Sequence, residues 1–189
     1  MHSVIDSVVT DWSSDGRYVV YMANELGTNW NIWAMSLMGD QRPQPVLRTQ
    51  FNETDARISP DGRWLAYVTN ESGGNEVYVS QFPPGSDRVR ISTEGGGQLR
   101  WRADGQELFY IDPSGRLMAV DVREHDGELE ASPPSVLFQT QVASVLKAYS
   151  VSADGQRFLI NSEAAPNQPP PVVVVPDWVV AVRQAARTR

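Results

Sequence analysis

Four times in this chain an Asp-Gly pair closes the same kind of segment, and that recurrence limits the fold more than any other feature. The segments are Asp11-Trp12-Ser13-Ser14-Asp15-Gly16, Arg57-Ile58-Ser59-Pro60-Asp61-Gly62, Arg100-Trp101-Arg102-Ala103-Asp104-Gly105 and Ser150-Val151-Ser152-Ala153-Asp154-Gly155. Their Asp-Gly aspartates stand 46, 43 and 50 positions apart. Self-similarity at such a period marks an array of repeated supersecondary units, each too small to bury its own apolar faces. Asp-Gly between two β-rich runs is a hairpin signal, because Gly accepts the positive φ of a tight turn at no steric cost.

The flanking residues repeat as well. An apolar strand follows each turn: Tyr18 to Met22, Trp64 to Val68, Leu108 to Ile111 and Phe158 to Ile160. A third strand is legible in three copies, at Asn31–Met35, Glu76–Ser80 and Arg116–Val120, entered through Gly- and Asn-rich turns such as 71–75 and 112–115. Weaker fourth strands are read at Pro45–Thr49, Arg88–Ser92 and Ser135–Gln139. Four strands in roughly 40–45 residues is the measure of one propeller blade. The chain is therefore expected to be all-β, with about four four-stranded antiparallel blades near 7–50, 52–93, 96–140 and 145–176. Residues 177–189 form a tail, in which Trp178–Arg187 has the pattern of a short helix.

These residues resemble the TolB-type, WD40-like β-propeller repeat, whose hallmark is an inner strand ending in Ser-Pro-Asp-Gly before an apolar strand. The second copy, Ser59-Pro60-Asp61-Gly62, matches it fully. The others carry Ser14, Ala103 or Ala153 where the Pro stands, and the third also has Arg102 for Ser. The ending, a Pro-rich loop from Asn161 to Pro171 and then Val172–Val175, is similar to the C-terminal ends of TolB-type propellers appended to bacterial Ser/Thr kinases; no kinase motif occurs here. The resemblance implies a scaffold or binding role, and a periplasmic or extracytoplasmic location if the chain is the C-terminal part of a longer protein.

Composition narrows the remaining classes. The net charge is −7, whereas a duplex-binding surface needs clustered Lys and Arg, so nucleic acid is not expected as a partner. No cysteine is present, which removes disulfides and thiolate zinc sites. No run approaches the roughly 20 apolar residues of a membrane span, and the first residues lack the pattern of a secretion signal.

Blades stack face to face, so four blades of a family that closes rings of more leave two sheet faces uncovered. The chain is expected to close as a tight four-blade ring, to pair with a second copy, or to belong to a longer propeller. An abrupt start at Met1 suits the last two. The expected homodimer contact joins Tyr18–Met22 to Phe158–Ile160 and Val172–Val175.

Chemistry is sparser. No Gly-x-Ser-x-Gly elbow and no triad arrangement around His2 or His125 is found, and Glu94-Gly95-Gly96-Gly97-Gln98 lacks the Lys and helix of a phosphate loop. Trp12, Trp33, Trp64 and Trp101 fall on strands and are expected between blades, while Trp30 falls in a turn where it is open to ligands. Inner strands line a propeller's channel. Aligned on the Asp-Gly turn, one channel position holds Asp11, Arg57, Arg100 and Ser150, and two residues earlier stand Val9, Asp55, Gln98 and Ala148. Asp11, Asp55, Arg57, Gln98, Arg100, Lys147 and Tyr149 are thus candidate ligand-binding residues at the channel mouth, unless the charges serve only as inter-blade ion pairs. The expected ligand is a protein, a peptide or a small polar molecule. Asn52, Glu53 and Asp55 are candidate calcium ligands, since hard oxygens suit Ca2+. Architectural likeness to calcium-dependent gluconolactonase and paraoxonase propellers gives the alternative, a metal-assisted lactone or ester hydrolase.

Overall fold

The computed structural model describes residues 4–25, 29–83, 87–140, 149–161 and 172–175, arranged as four antiparallel sheets. The first sheet holds β1 (Val4–Trp12), β2 (Tyr18–Glu25), β3 (Trp30–Ser36) and β4 (Pro43–Leu47) in chain order. The second repeats that order with β5 (Glu53–Ile58), β6 (Trp64–Thr69), β7 (Glu76–Gln81) and β8 (Arg88–Arg90). The third contains β9 (Gly97–Trp101), β10 (Glu107–Ile111), β11 (Arg116–His125) and β13 (Ser135–Gln139), and β12 (Glu128–Ala131) pairs with the far end of the long β11. The fourth is β14 (Tyr149–Val151), β15 (Phe158–Asn161) and β16 (Val172–Val175). The fourth repeat thus shows three strands among the described residues, and its expected C-terminal helix lies outside them.

Each Asp-Gly turn is built the same way. In the first, Gly16 N–H donates to Ser13 O (2.8 Å), Ser13 N–H donates to Tyr18 O (2.9 Å), and Asp15 Oδ1 accepts from Arg17 N (2.9 Å). The same pattern closes at Ser59–Trp64, Arg102–Glu107 and Ser152–Arg157. The four turn glycines have φ between 72° and 76°, the left-handed region where a Cβ is costly. Arg102, where the other copies have Ser, still serves the turn: its Nε donates to Asp104 Oδ1 at 2.7 Å.

Period-2 alternation sends each inner sheet's side chains into two different cores. On β6, Leu65 and Tyr67 pack toward the first sheet with Val20, Ile32, Ala34 and Ile58, while Ala66 and Val68 pack toward the third with Leu99, Leu108 and Tyr110. On β10, Phe109 and Ile111 turn the other way, to Phe158, Ile160 and Tyr149 of the fourth sheet. Phe158 is fully buried, edge-on to Phe109 (5.1 Å) and Phe138 (5.7 Å). Such face-to-face stacking of twisted antiparallel sheets is the propeller arrangement.

The first sheet's other face has no neighbour among the described residues. Strand register puts Trp12, Val19 and Met35 in one row there and Val9, Tyr21 and Trp33 in the next. Trp12 is 63% exposed and Val9 61%, so the expected inter-blade packing of Trp12 is not what the structure shows. Trp12 lies on the outward side of the first sheet, whereas Trp64 and Trp101 pack against the core between the second and third. Trp30 is not in a turn: it opens β3, and its N–H donates to Asn52 Oδ1 at 3.1 Å.

Candidate functional site

Local irregularity gathers the candidate residues. The register of β1 slips between Val9 and Asp11, that of β5 between Thr54 and Arg57, and β9 slips opposite Phe109–Ile111. Asp55 and Gln98, equivalent positions in the repeat, both take a left-handed backbone (φ 51° and 59°), conformations that non-Gly residues rarely adopt. A bulge bends its strand and re-aims side chains. Here the bends turn the channel-side ends of β1, β5 and β9 around a cleft of about 290 Å3, with Asp55, Arg57, Gln98 and Arg100 on its wall. Thr10, Thr54 and the apolar Val8, Met22 and Val68 complete much of the lining.

The carboxylates at this mouth hold the blades together. Asp11 Oδ2 accepts from Ile58 N of the second sheet at 2.8 Å, and Asp55 Oδ2 accepts from Leu99 N of the third at 2.8 Å. Each aspartate therefore caps a backbone N–H of the next blade's inner strand. Arg57 lies between them, with Nη2 3.3 Å from Asp55 Oδ1 and Nη1 4.0 Å from Asp11 Oδ1, and it also donates to Thr10 O. Its Nε is buried with no hydrogen-bond partner. Of the inter-blade ion pairs of Asp55, Arg57 and Arg100 read from the sequence as the structural alternative, Arg57 makes one, to Asp11, while its pair with Asp55 lies within β5.

Arg100 is placed differently. It donates to Leu99 O at 2.6 Å and its guanidinium lies 5.3 Å from the centre of the Tyr149 ring, a cation–π contact. Among the described residues no carboxylate comes within ion-pair distance of it. Tyr149 is buried, and its hydroxyl has no hydrogen-bond partner. Lys147 lies outside the described residues.

Burial sets the electrostatics. It raises the Asp11 carboxyl above its ordinary 3.8, against the Ile58 N–H bond and then the Arg57 charge, which pull the other way. The Asp55 carboxyl is raised for the same reason, opposed by Arg57 and then by the Leu99 N–H. Burial and repulsion from Arg57 lower the Arg100 guanidinium from its usual value. It remains cationic at any physiological pH.

The candidate calcium ligands have other duties. The Asn52 side-chain oxygen accepts from Trp30 N, the buried Glu53 accepts from Thr49 Oγ1, and Asp55 serves Leu99 and Arg57. Burial raises the Glu53 carboxyl, which favours its neutral form. Among the described residues no three His, Cys, Asp or Glu side chains converge, and calcium takes six to eight oxygens. Asn52, Glu53 and Asp55 do not fit that shell, with an arginine already seated on Asp55.

Thr10, Thr54 and Met22 escaped the sequence reading because bulges, not the repeat, decide which side chains reach the mouth. The one available signal was the shared offset of Asp55 and Gln98 before the Asp-Gly turn.

No protein-family model matches the chain, and no curated protein matches it in sequence. Solved structures do. TolB from Acinetobacter baumannii is similar over 88% of this chain (TM-score 0.65, 17% identity), and that match spans 39% of TolB. A puromycin-hydrolyzing peptidase from Mycobacterium tuberculosis matches 85% of the chain (TM-score 0.57, 20% identity), spanning 28% of the peptidase. The periplasmic gluconolactonase of Pseudomonas aeruginosa matches 79% (TM-score 0.55, 19% identity), spanning 48% of its length. The chain therefore spans less than half of each of these structures. What the three likenesses have in common is the blade array, and this chain has the β-propeller fold that TolB displays.

Proposed function

We propose that the chain is a non-catalytic binding module that receives a peptide, a protein segment or a small polar ligand in the cleft at the channel ends of β1, β5 and β9. The observation that carries this reading is the cleft itself: about 290 Å3, lined by the apolar Val8, Met22 and Val68 together with a few polar groups. That mixture, near the lower limit of ordinary ligand pockets, is the usual composition of a binding site. The acidic residue in its lining, Asp55, is engaged by Leu99 N of the next blade and by Arg57. The hydrolase alternative would need a metal shell, and among the described residues no three His, Cys, Asp or Glu side chains converge to begin one.

The test is a thermal-shift screen of short peptides and small polar compounds on the wild type and on Thr54→Trp, which fills the cleft. Ligands should stabilise the wild type by mass action and lose that effect in the plugged variant. Ligands that stabilise both proteins equally would place binding elsewhere.

The same reading includes a second copy of this chain as the partner of the first sheet's outward face, which has no neighbour among the described residues. Trp12, Val9 and the half-buried Val19, Tyr21, Trp33 and Met35 form an apolar face of the kind that elsewhere in the molecule meets another blade. Two four-sheet chains would together approach the span of the gluconolactonase propeller, of which one chain covers 48%. Strand alternation divides the residues of the expected contact between two faces. Tyr18 and Val20 turn toward the second sheet, and Phe158 and Ile160 toward the third, so within those ranges Val19, Tyr21 and Leu159 are the outward-facing residues.

A further inference from the structure

Two arginines reach the cleft, and they differ in what they have left to give. Arg57 is tied to Thr10 O, Asp55 and, at longer range, Asp11. Arg100 spends one N–H on the carbonyl of its own neighbour Leu99 and rests its face on the Tyr149 ring. A guanidinium carries five N–H donors in a planar fork, so most of its donor capacity is uncommitted. The stack on a buried ring fixes the plane of that fork without neutralising it. Beside it, Val8, Met22 and Val68 line the same cleft.

Resting on the binding reading above, we propose that the cleft's ligand is a carboxylate with a short apolar body, such as a small fatty acid or the C-terminal carboxylate of a peptide ending in an aliphatic residue. Arg100 takes the carboxylate in a two-point, charge-assisted hydrogen bond, and the apolar body lies along Val8, Met22 and Val68. A planar fork meets a carboxylate at both oxygens, which a hydroxyl or an amide oxygen cannot match. The two aspartates at the mouth do not repel it strongly, because each is bound to a backbone N–H and both face Arg57. Arg63, on the wall of a separate depression, is by contrast paired with Asp61 and Glu124. Arg100 is the cleft's open cation.

The experiment compares isosteric pairs on the full chain, with hexanoate against hexanamide and an acetyl-Ala-Val peptide acid against its C-terminal amide. Binding is followed by calorimetry and by the Met22 methyl signal. The acids should bind at least about tenfold more tightly than the amides, and Arg100→Gln should abolish that preference. Arg100→Lys keeps the charge without the fork and should retain only part of the preference. Melting curves of both variants establish that they fold. Equal binding of acid and amide at Met22, or a preference that survives Arg100→Gln, would overturn the carboxylate assignment while leaving the cleft as a binding site. Silence of Met22 toward every probe would also overturn it, and the Thr54→Trp screen would then decide separately whether the cleft binds other chemistry.

Discussion

Gly96 and Gly97 are neighbours in sequence and should respond oppositely to the same substitution. A Cβ built on Gly96 comes 2.4 Å from Tyr110 Cδ2, 2.8 Å from Tyr110 Cε2 and 3.3 Å from Ile111 O. Carbon atoms rest at about 3.5–4.0 Å, so the ring would have to retreat by roughly an ångström. Tyr110 cannot swing away, since it is 1% exposed and packed in the core between the second and third sheets. Overpacking of this kind costs about 1–3 kcal/mol, and two ring atoms in conflict place Gly96→Ala toward the upper end. For a chain of this length that is a fall in Tm of about 5–10 °C. A Cβ on Gly97 meets no atom within 4 Å, so Gly97→Ala should melt at or slightly above the wild-type temperature. Differential scanning calorimetry of both variants is the assay, together with Gly96→Ala in a Tyr110→Leu background. There the penalty should shrink, because removing the ring edge removes the conflict. Equal melting of Gly96→Ala and wild type would refute the packing of the third blade's entry against Tyr110. A full penalty in the Tyr110→Leu background would refute the stated cause.

Three other expectations follow from the same structure. A Cβ at Gly62 meets no atom within 4 Å but sits at φ 76°, so Gly62→Val should cost about 1–3 kcal/mol, chiefly through backbone strain, as read by urea denaturation; unchanged stability would contradict the turn. Asp55 keeps protons that the unfolded chain has already released just above its ordinary 3.8, so its contribution to stability falls as pH rises through the interval up to its raised folded value. Melting curves should therefore show Asp55→Asn gaining on the wild type as the pH rises from the ordinary carboxylate range, and a variant that loses ground there would mean the carboxyl is depressed instead. Light scattering across concentrations should report a dimer for the wild type and a monomer for Trp12→Glu with Val19→Glu; a wild type that is monomeric at every concentration would exclude the two-copy ring.

Much of the fold was legible because the turn chemistry is local. Asp61 and Gly62 act through bonds within six residues, so their repetition in sequence becomes repetition in space. The apolar strands after each turn were equally readable, although β4 begins at Pro43, two residues earlier than the sequence suggested, because it pairs Pro43 with Met35. The site was legible by position but not by role. Asp11, Asp55, Arg57, Gln98 and Arg100 were found from their offset to the turn, and the structure does bring Asp55, Arg57, Gln98 and Arg100 to one cleft, with Asp11 joined to Arg57 beside it. What separates Arg57, paired with Asp55 and facing Asp11, from Arg100, stacked on Tyr149, depends on which strand bulges toward which neighbour. Contacts between residues 44 or more apart carry that distinction, and no local pattern encodes them. Trp12 was misplaced for a related reason: strand alternation gives two faces, and only the order of sheets says which one is covered.

The methionines report on the central claim in one spectrum. Met22 lines the cleft, Met35 lies on the outward face of the first sheet, Met38 is 68% exposed, and Met118 is buried between the second and third sheets. With methyl-labelled methionine, a ligand that stabilises the protein should shift Met22 at concentrations where Met35 and Met38 stay fixed, and Met118 should move little. Shifts confined to Met35 or Met38, with Met22 unmoved at saturation, would contradict the assignment of the cleft as the binding site.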